Sequence, residues 1–589
     1  MKRIAVVDND KLKDADKQRH IQSLCPVNRA GTECIKIENG RLFIDEATCI
    51  GCGICAKHSD GAIKIVNLPT SAEGDPIHRF GENGFALYSL PTPLFGKVVG
   101  ILGPNGIGKS TALNILAGHL IPNFGSTQEE QSQGSEKSEQ LKRLIGFFKG
   151  SEAQGFFEKL ASGEIKVAYK PQHVDLIPKA HTGTVRDLLL KADETDSFDR
   201  ITELLELKDV LDTEISKVSG GELQRIAIAA TVMKRANVYI FDEPTSYLDI
   251  QQRIKVSKFI RGLATEETAV LVVEHDLIIL DFLTDLVHIM YGKPGAFGVV
   301  SGVKPTRTGI NIYLSGYLKE ENVRFRDHAV HFMAKPPADS EKNERLVAWK
   351  DLSVQLGRFR LSADEGEIMQ HQVIGVLGPN GIGKTTFVKI LAGVQKPDTG
   401  EISDKVKVSY KPQYLEPTDE PVASAARDVI SKYDVQLARP LGIHELLDKK
   451  LSDLSGGELQ RVAIAVCLAR EADLYLLDEP SAYLDVEQRL LVSKVIRDVM
   501  ETRTGSALVV DHDLLFVDYL SESLIVLEGT PAKEGAVKGP FTMEEGMNRF
   551  LSRLSITLRR DMESKRPRIN KEDSRKDREQ RAAQKWYYS

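Results

Sequence analysis

No apolar run in the 589-residue sequence reaches the ~18 residues that a membrane-spanning helix needs. A membrane-spanning helix is therefore not expected, nor is a membrane partner. The opening MKRIAVVDND has a basic pair and a short apolar run, then turns acidic without a small-residue cleavage site. It reads as a β-strand rather than a secretory signal, so a cytoplasmic location is expected. Excess positive charge is also missing. The net charge is −6 and the pI about 6.2, so nucleic-acid contact would have to come from local basic patches. Cysteine is scarce: of six, five fall between Cys25 and Cys55. In a reducing compartment that clustering argues for a metal rather than for disulfides. The length implies three or four domains with ample buried core.

The chain is organised around a repeat. SGGELQR occurs at Ser219–Arg225 and again at Ser455–Arg461. Ahead of each copy, an apolar strand runs into a glycine-rich loop. The first is Gly103-Pro-Asn105-Gly106-Ile-Gly108-Lys109-Ser110-Thr111, and the second is Gly378-Pro-Asn380-Gly381-Ile-Gly383-Lys384-Thr385-Thr386. Both read as Walker A loops. The glycines let backbone N–H groups surround phosphates at a helix N-terminus. Lys109 and Lys384 would reach the β- and γ-phosphates, and the Ser110 and Thr385 hydroxyls would hold Mg2+. Downstream, apolar strands end in Asp242-Glu243 and Asp478-Glu479. Each aspartate suits Mg2+, and each glutamate suits polarisation of the attacking water. Gln172 and Gln413 close the tetrapeptide Tyr-Lys-Pro-Gln in each half, which resembles a Q-loop, and that resemblance implies contact of the glutamine with Mg2+ and the attacking water. His275 and His512 follow strands at positions suited to the γ-phosphate.

That order resembles the nucleotide-binding domains of the ATP-binding-cassette (ABC) class. The resemblance implies that each signature loop caps the nucleotide of the other cassette. One composite site would pair Lys109, Glu243 and His275 with Ser455 and Gly457; the other would pair Lys384, Glu479 and His512 with Ser219 and Gly221. Both copies keep the acidic pair and the histidine, so two ATP-hydrolysing sites are expected, in a monomer with an intramolecular cassette dimer. Sixty-three positions separate Lys109 from Gln172, but only 29 separate Lys384 from Gln413, which leaves 34 extra residues in the first cassette. The polar run Ser126–Gln140 reads as a loop, and Leu141–Leu160 has helical apolar spacing, giving either a surface decoration or a docking helix-loop-helix. Between the cassettes, Lys304, Arg307, Lys319, Arg324 and Arg326 interleave with Tyr313, Tyr317 and Phe325. That mixture suits phosphate contact with stacking, and a solvated hinge is the equal alternative. Pro336-Pro337 reads as an exposed loop. The tail beyond Gly546 is basic but diluted with acid, suited to a second hinge and a local polyanion contact.

Cys49-Ile-Gly-Cys52-Gly-Ile-Cys55 is a C-x2-C-x2-C run of the bacterial-ferredoxin kind. In that pattern a fourth, remote Cys-Pro ligates the same cluster, and Cys25-Pro26 supplies it. A zinc site on the same four thiolates, or a domain that has lost its metal, are the alternatives; the spacing favours a cubane. Cys34 is left as a spare.

Together these motifs resemble one family, the ABC subfamily E or RNase L inhibitor proteins. The similarity extends over nearly the whole chain and includes Cys25-Pro-Val-Asn-Arg, Ile65-Val-Asn-Leu-Pro, His78-Arg79, Gly309-Ile-Asn-Ile, Arg324-Phe-Arg-Asp, Ser246-Tyr-Leu-Asp, Ser481-Ala-Tyr-Leu-Asp and Arg566-Pro-Arg-Ile-Asn-Lys. The resemblance implies an ATPase that splits ribosomes after termination or rescue. It would act with a class-1 release factor or Pelota and remain on small-subunit rRNA and proteins. An aromatic ring, Phe80 or Phe85 in one cassette and Phe359 in the other, would stack on adenine. Family spacing would place the ligands of a second cluster at Leu12, Lys17, Ile21 and Ser59. None is a cysteine, so a single [4Fe–4S] cluster is expected.

The implied fold is α/β. A ferredoxin-like α+β iron–sulfur domain occupies residues 1–77, and cassettes occupy 78–302, with the insert at 126–160, and 346–540. A hinge covers 303–345, and a C-terminal hinge with basic tail covers 541–589. A transporter ATPase subunit is disfavoured by the ferredoxin-like head, and a chromosome ATPase by the lack of sustained heptads. The nearest rivals are another soluble twin-cassette translation factor and a divergent paralogue outside recycling.

Overall fold

The computed structural model describes residues 3–69, 72, 74–125, 137–150, 152–330, 332, 344–403, 406–413 and 417–588. Most of the polar run read at Ser126–Gln140, and the Pro336-Pro337 loop, lie outside the described residues. Contacts divide the chain into two units. One comprises 1–244, 258–274 and 283–330; the other comprises 245–257, 275–282 and 331–589. Among the described residues, no helix is long and apolar enough to cross a membrane.

The first unit opens with a small α+β lobe. Strand Arg3–Val7 pairs antiparallel with Ile63–Asn67. Between them lie the helices Ala15–Leu24, Pro26–Arg29 and Ile54–Lys57 and a hairpin, Ile35–Glu38 with Arg41–Ile44. The hairpin turns on Asn39-Gly40, both at positive φ, the residue pair such a two-residue turn requires. Asp14 caps the first helix by accepting from the Asp16 and Lys17 N–H groups. The lobe's own core includes Leu12, Ile21, Leu42, Ile44 and Ile63.

Next in this unit is a nine-stranded sheet. Its centre is parallel: Val167–Lys170, Val238–Asp242, Ala269–Val273, Val98–Leu102 and Leu286–Lys293 lie side by side. Three of these, Val98–Leu102, Val238–Asp242 and Ala269–Val273, are buried at every position. This is the expected result of continuous apolar runs sandwiched between helices. The insert folds as Lys137–Phe147 and Glu152–Ala161. Leu144, Ala153, Phe156 and Phe157 pack into the cassette core, and the Phe148 and Phe157 rings stack at 5.3 Å. The hairpin is thus rooted in the cassette rather than laid on its surface.

The hinge region forms helix Thr306–Ser315 and the hairpin Tyr317–Leu318 with Val323–Arg324. Two of its basic residues face inward. Lys304, 4 % exposed, is paired with Glu320. The Arg326 guanidinium donates to the Tyr313 carbonyl at 2.8 Å and lies over the buried Tyr313 ring. Arg324 lies over Tyr317. The phosphate-contact reading therefore loses Lys304 and Arg326, whose charges serve local packing.

The second unit repeats the sheet with ten strands. Val408–Lys411, Leu474–Asp478, Ser506–Val510, Val373–Leu377 and Ser523–Thr530 form its parallel centre. The chain ends in helix Met543–Leu554, the hairpin Leu558–Arg560 with Pro567–Ile569, and helix Arg575–Ala582. The tail's basic residues are largely spent on internal pairs. Arg549 and Arg553 meet Glu528, Arg566 and Arg568 meet Asp281, and Arg560 faces Asp518. Exposed Lys565, Lys571, Lys576, Arg578 and Lys585 carry the charge that remains there for a polyanion.

Candidate functional site

In both halves the glycine-rich loop joins a buried strand to a helix, Lys109–Leu116 and Lys384–Leu391. Gly108 and Gly383 cap these helices at φ 91° and 98°, a conformation that glycine alone adopts without strain. A second constraint acts on both. A Cβ at Gly108 would lie 2.6 Å from Phe85 Cζ, and one at Gly383 would lie 2.9 Å from Phe359 Cζ. Each loop is thus pressed against an aromatic ring. The register explains the pairing: Ala86 opposes Phe297 as Arg360 opposes Glu534, so Phe85 and Phe359 hold equivalent places. Phe80 is 48 % exposed and packs edge-on against His78. Of the two candidates, Phe85 is the counterpart of Phe359.

The lysines and hydroxyls converge as a phosphate site requires. Lys109 Nζ donates to the carbonyls of Gly103 and Pro104, both at 2.9 Å. Lys384 Nζ donates to Gly378 and Pro379 at 2.9 and 2.8 Å. Ser110 Oγ donates to Asp242 Oδ2 at 3.0 Å, and Thr385 Oγ1 to Asp478 Oδ2 at 2.9 Å. Gln172 Nε2 donates to Glu243 Oε1 and Gln413 Nε2 to Glu479 Oε1, both at 2.7 Å. His512 Nε2 lies 3.7 Å from Glu479 Oε1. The hydroxyl, the aspartate and the glutamine together fit Mg2+, which keeps waters and phosphate oxygens among its ligands rather than sitting in an all-protein cage.

Electrostatics mark both sites. Burial, reinforced by Glu243, raises Asp242 to about 6. Burial, with Asp511 and Asp478, raises Glu479 to about 6. Burial, opposed by Glu479, Asp249 and Asp478, lowers Lys384 to about 8. Burial, with Lys384 and Arg253, holds His512 well below its usual value. Such concentrated perturbation is characteristic of functional clefts.

Ser219 and Ser455 start the helices Gly220–Val232 and Gly456–Ala469 as capping boxes with Glu222 and Glu458. Each serine hydroxyl is held by that glutamate, at 2.7 and 2.8 Å. Gly221 and Gly457 fall in the first turns, where N–H groups point outward. Within the second unit, Asp249 Oδ2 accepts from the Asn380 N–H at 3.0 Å, so the segment following the first acidic strand reaches a Walker A loop. Sequence reading missed Lys170, Lys411, Gln224 and Gln460, all buried beneath the strand-end glutamates. Their repetition in both halves was the available signal.

In the N-terminal lobe, Cys25, Cys49, Cys52 and Cys55 line one recess, walled by Val27, Ile35, Ile44 and Ile50. Burial, reinforced by the neighbouring Cys49, Cys52 and Cys25, pushes the Cys55 thiol up to about 11. Cys34, read as a spare, lines the same recess; burial is the main cause that pushes its thiol up to about 12. Gly51 and Gly53, at φ 67° and 73°, turn the loop around the recess. Among the described residues, no three His, Cys, Asp or Glu side chains converge closely enough to hold a metal ion as they stand. The donor set itself, four thiols in an apolar wall, suits an iron–sulfur cubane. The other quartet does not. Leu12 and Ile21 are fully buried core, Lys17 pairs with Asp60 at 2.6 Å, and buried Ser59 donates to the Ala56 carbonyl and accepts from the Ile63 N–H, both at 2.9 Å.

Two parallel-centred sheets, each bringing a glycine-rich loop with its lysine and hydroxyl to an Asp-Glu strand end and a glutamine, define, with the family match that follows, an ABC-type ATPase with two cassettes. Residues 95–246 and 361–482 match the family described as ABC transporter. ABC transporter E family member 1 of Arabidopsis thaliana is 43% identical, over 100% of this chain and 98% of its own length. A chain of ribosome-bound archaeal Pelota and ABCE1 is 51% identical with TM-score 0.92, covering 100% of this chain and 99% of that one. The archaeal ribosome recycling factor aABCE1, in complex with the archaeal ribosomal stalk protein aP1, is 52% identical with TM-score 0.81, covering 87% of this chain and 99% of that one. The chain belongs to ABC subfamily E.

Proposed function

We propose that this protein is an ATP-driven ribosome-recycling factor of the cytoplasm. ATP binding closes its two cassettes, closure splits ribosomes after termination or rescue, and the protein stays on the small subunit until hydrolysis. A class-1 release factor or Pelota is its partner on the ribosome. The supporting observation is the union, in one subfamily E chain, of two Walker-type sites, each with its glutamine on the strand-end glutamate, and a recess lined by five cysteines.

Lys109, Gln172, Asp242, Glu243 and His275 work with Ser455 and Gly457, and the second set works with Ser219 and Gly221. Phe85 and Phe359 stack on adenine. Cys25, Cys49, Cys52 and Cys55 hold one [4Fe–4S] cluster, and the Leu12, Lys17, Ile21 and Ser59 quartet holds none. Co-sedimentation with small ribosomal subunits tests the main claim. The protein pellets with a non-hydrolysable ATP analogue, the Glu243→Gln/Glu479→Gln variant pellets with ATP, and neither pellets without nucleotide. Absence of pelleting under every condition favours a divergent paralogue. Anaerobic iron analysis gives ~4 irons per chain for one cubane; ~8 irons, or stoichiometric zinc without visible absorbance, refutes the single cluster.

A further inference from the structure

Glu243 and Glu479 each sit at φ 47°, in the left-handed region that residues with side chains avoid. A conformation of that kind persists only where its surroundings over-determine it. The same cage surrounds both residues. The Glu243 N–H donates to the Val273 carbonyl at 3.0 Å, and the Glu479 N–H to Val510 at 2.7 Å. Lys170 Nζ donates to the carbonyls of Asp242 and Glu243 at 2.9 and 3.3 Å. Lys411 Nζ does the same to Asp478 and Glu479 at 2.7 and 3.4 Å. From the signature helices, Gln224 Nε2 donates to the Glu243 carbonyl and Gln460 Nε2 to the Glu479 carbonyl, each at 2.6 Å.

Lys170 and Lys411 are 0% and 1% exposed. Fully burying an ammonium group is costly, and here its hydrogen bonds go to two consecutive main-chain carbonyls rather than to a carboxylate. Desolvation lowers both lysines to about 8, opposed by the surrounding acidic side chains, Asp242, Glu243 and Glu274 for one and Asp478, Asp511 and Glu479 for the other. Pinning two successive carbonyls fixes the peptide planes on both sides of the glutamate. That leaves its carboxylate aimed at the Gln172 or Gln413 amide, 2.7 Å away. Without the pins, the backbone is free to relax toward the extended region that a residue before proline, here Pro244 or Pro480, prefers, and the carboxylate swings off that line.

We propose that Lys170 and Lys411, with Gln224 and Gln460, are positioning residues for ATP hydrolysis, holding the strand-end glutamate in its left-handed turn and setting kcat rather than nucleotide affinity. The proposal rests on Glu243 and Glu479 being the water-polarising residues. The test uses the full-length chain as Lys170→Met/Lys411→Met and as Gln224→Met/Gln460→Met, alongside Glu243→Gln/Glu479→Gln. ATP turnover, affinity for a fluorescent ATP analogue and thermal melting are measured for each. The lysine pair lowers kcat ~10–100-fold, the effect of misplacing a catalytic group by about 1 Å, with analogue affinity and melting unchanged. Combined with the Glu→Gln pair it causes no further loss, because residues acting as one unit are not additive. If the lysine pair melts abnormally, the glutamine pair carries the same comparison with a bulk-matched apolar chain. Unchanged kcat, a kcat loss matched by lost affinity, or a loss that adds to that of Glu→Gln overturns the proposal. If Glu243→Gln/Glu479→Gln itself leaves kcat unchanged, the glutamate assignment fails instead.

Discussion

The quartet at Leu12, Lys17, Ile21 and Ser59 tests whether side-chain packing has taken the place of a second metal centre. Ile21 is fully buried beside Leu12, Leu42 and Ile63. Ile21→Ala removes three carbons. At ~0.8 kcal/mol per buried methylene the transfer loss is about 2.4 kcal/mol, and a residual cavity at about 24 cal/mol per Å3 brings the cost to roughly 3–4 kcal/mol. Leu12→Ala falls in the same range. Ser59→Ala strands the buried Ile63 N–H that the hydroxyl now accepts from, at about 1–3 kcal/mol. Lys17→Ala breaks a bridge to an exposed Asp60, which water and salt already screen, so it costs least. Hydrogen exchange in the strands Arg3–Val7 and Ile63–Asn67, whose amides report opening of this lobe, ranks the four variants in the full-length protein. The expected order is Ile21 and Leu12, then Ser59, then Lys17. If Ile21→Ala and Leu12→Ala open the lobe no more than Lys17→Ala does, the region is not close-packed and the reasoning fails.

Other outcomes follow from the nucleotide sites. Phe85→Ala and Phe359→Ala weaken ATP-analogue binding by roughly 1–3 kcal/mol, the worth of an aromatic–base stack, while exposed Phe80→Ala leaves it unchanged; titration with the fluorescent analogue separates them. In the Glu243→Gln background, where the second site alone turns over, kcat falls as pH drops through about 6. The sign follows from role: Glu479 accepts a proton only when ionised, and burial raises the pH at which it becomes neutral. A pH–rate profile that stays flat from 7 to about 5 would contradict this.

The parts of each nucleotide site were legible in the sequence to different depths. The Walker A loops and acidic strand ends could be read residue by residue, because local spacing dictates their geometry: Gly108 and Gly383 must adopt positive φ whatever packs around them. Lys170 and Gln224 could not be read in this way. They come from a neighbouring strand end and from a helix, and only tertiary packing brings them under the Glu243 carbonyl. The choice between Phe80 and Phe85 needed the strand register. The hinge, which left phosphate contact and a plain connection as equal readings, shows the converse limit. Lys304 and Arg326 have the composition of a phosphate-binding patch, yet Glu320 and the Tyr313 carbonyl claim them, and composition cannot distinguish a solvated charge from one already paired.

The C-terminus raises the same question of paired charge. Asp518, 5% exposed in its side chain, lies on the helix Leu514–Leu520 that follows His512. Its Oδ1 accepts from the hydroxyls of both Tyr587 and Tyr588. Arg560 approaches its other oxygen at 3.8 Å and lies over the Tyr588 ring. Burial and that carboxylate push both phenols upward, so they remain protonated donors. One donor suffices to keep the buried oxygen satisfied, and therefore Tyr587→Phe or Tyr588→Phe alone costs about one hydrogen bond to a charged group, ~1.5–3 kcal/mol. Removing both leaves a buried carboxylate oxygen without a donor, and the double variant loses more than the two single losses together. Protection of helix Met543–Leu554, whose Asn548 also holds the Trp586 and Tyr587 N–H groups, measures it. Strict additivity in that double-mutant cycle would mean the two tyrosines contribute packing alone, and Asp518 would then owe its stability to Arg560.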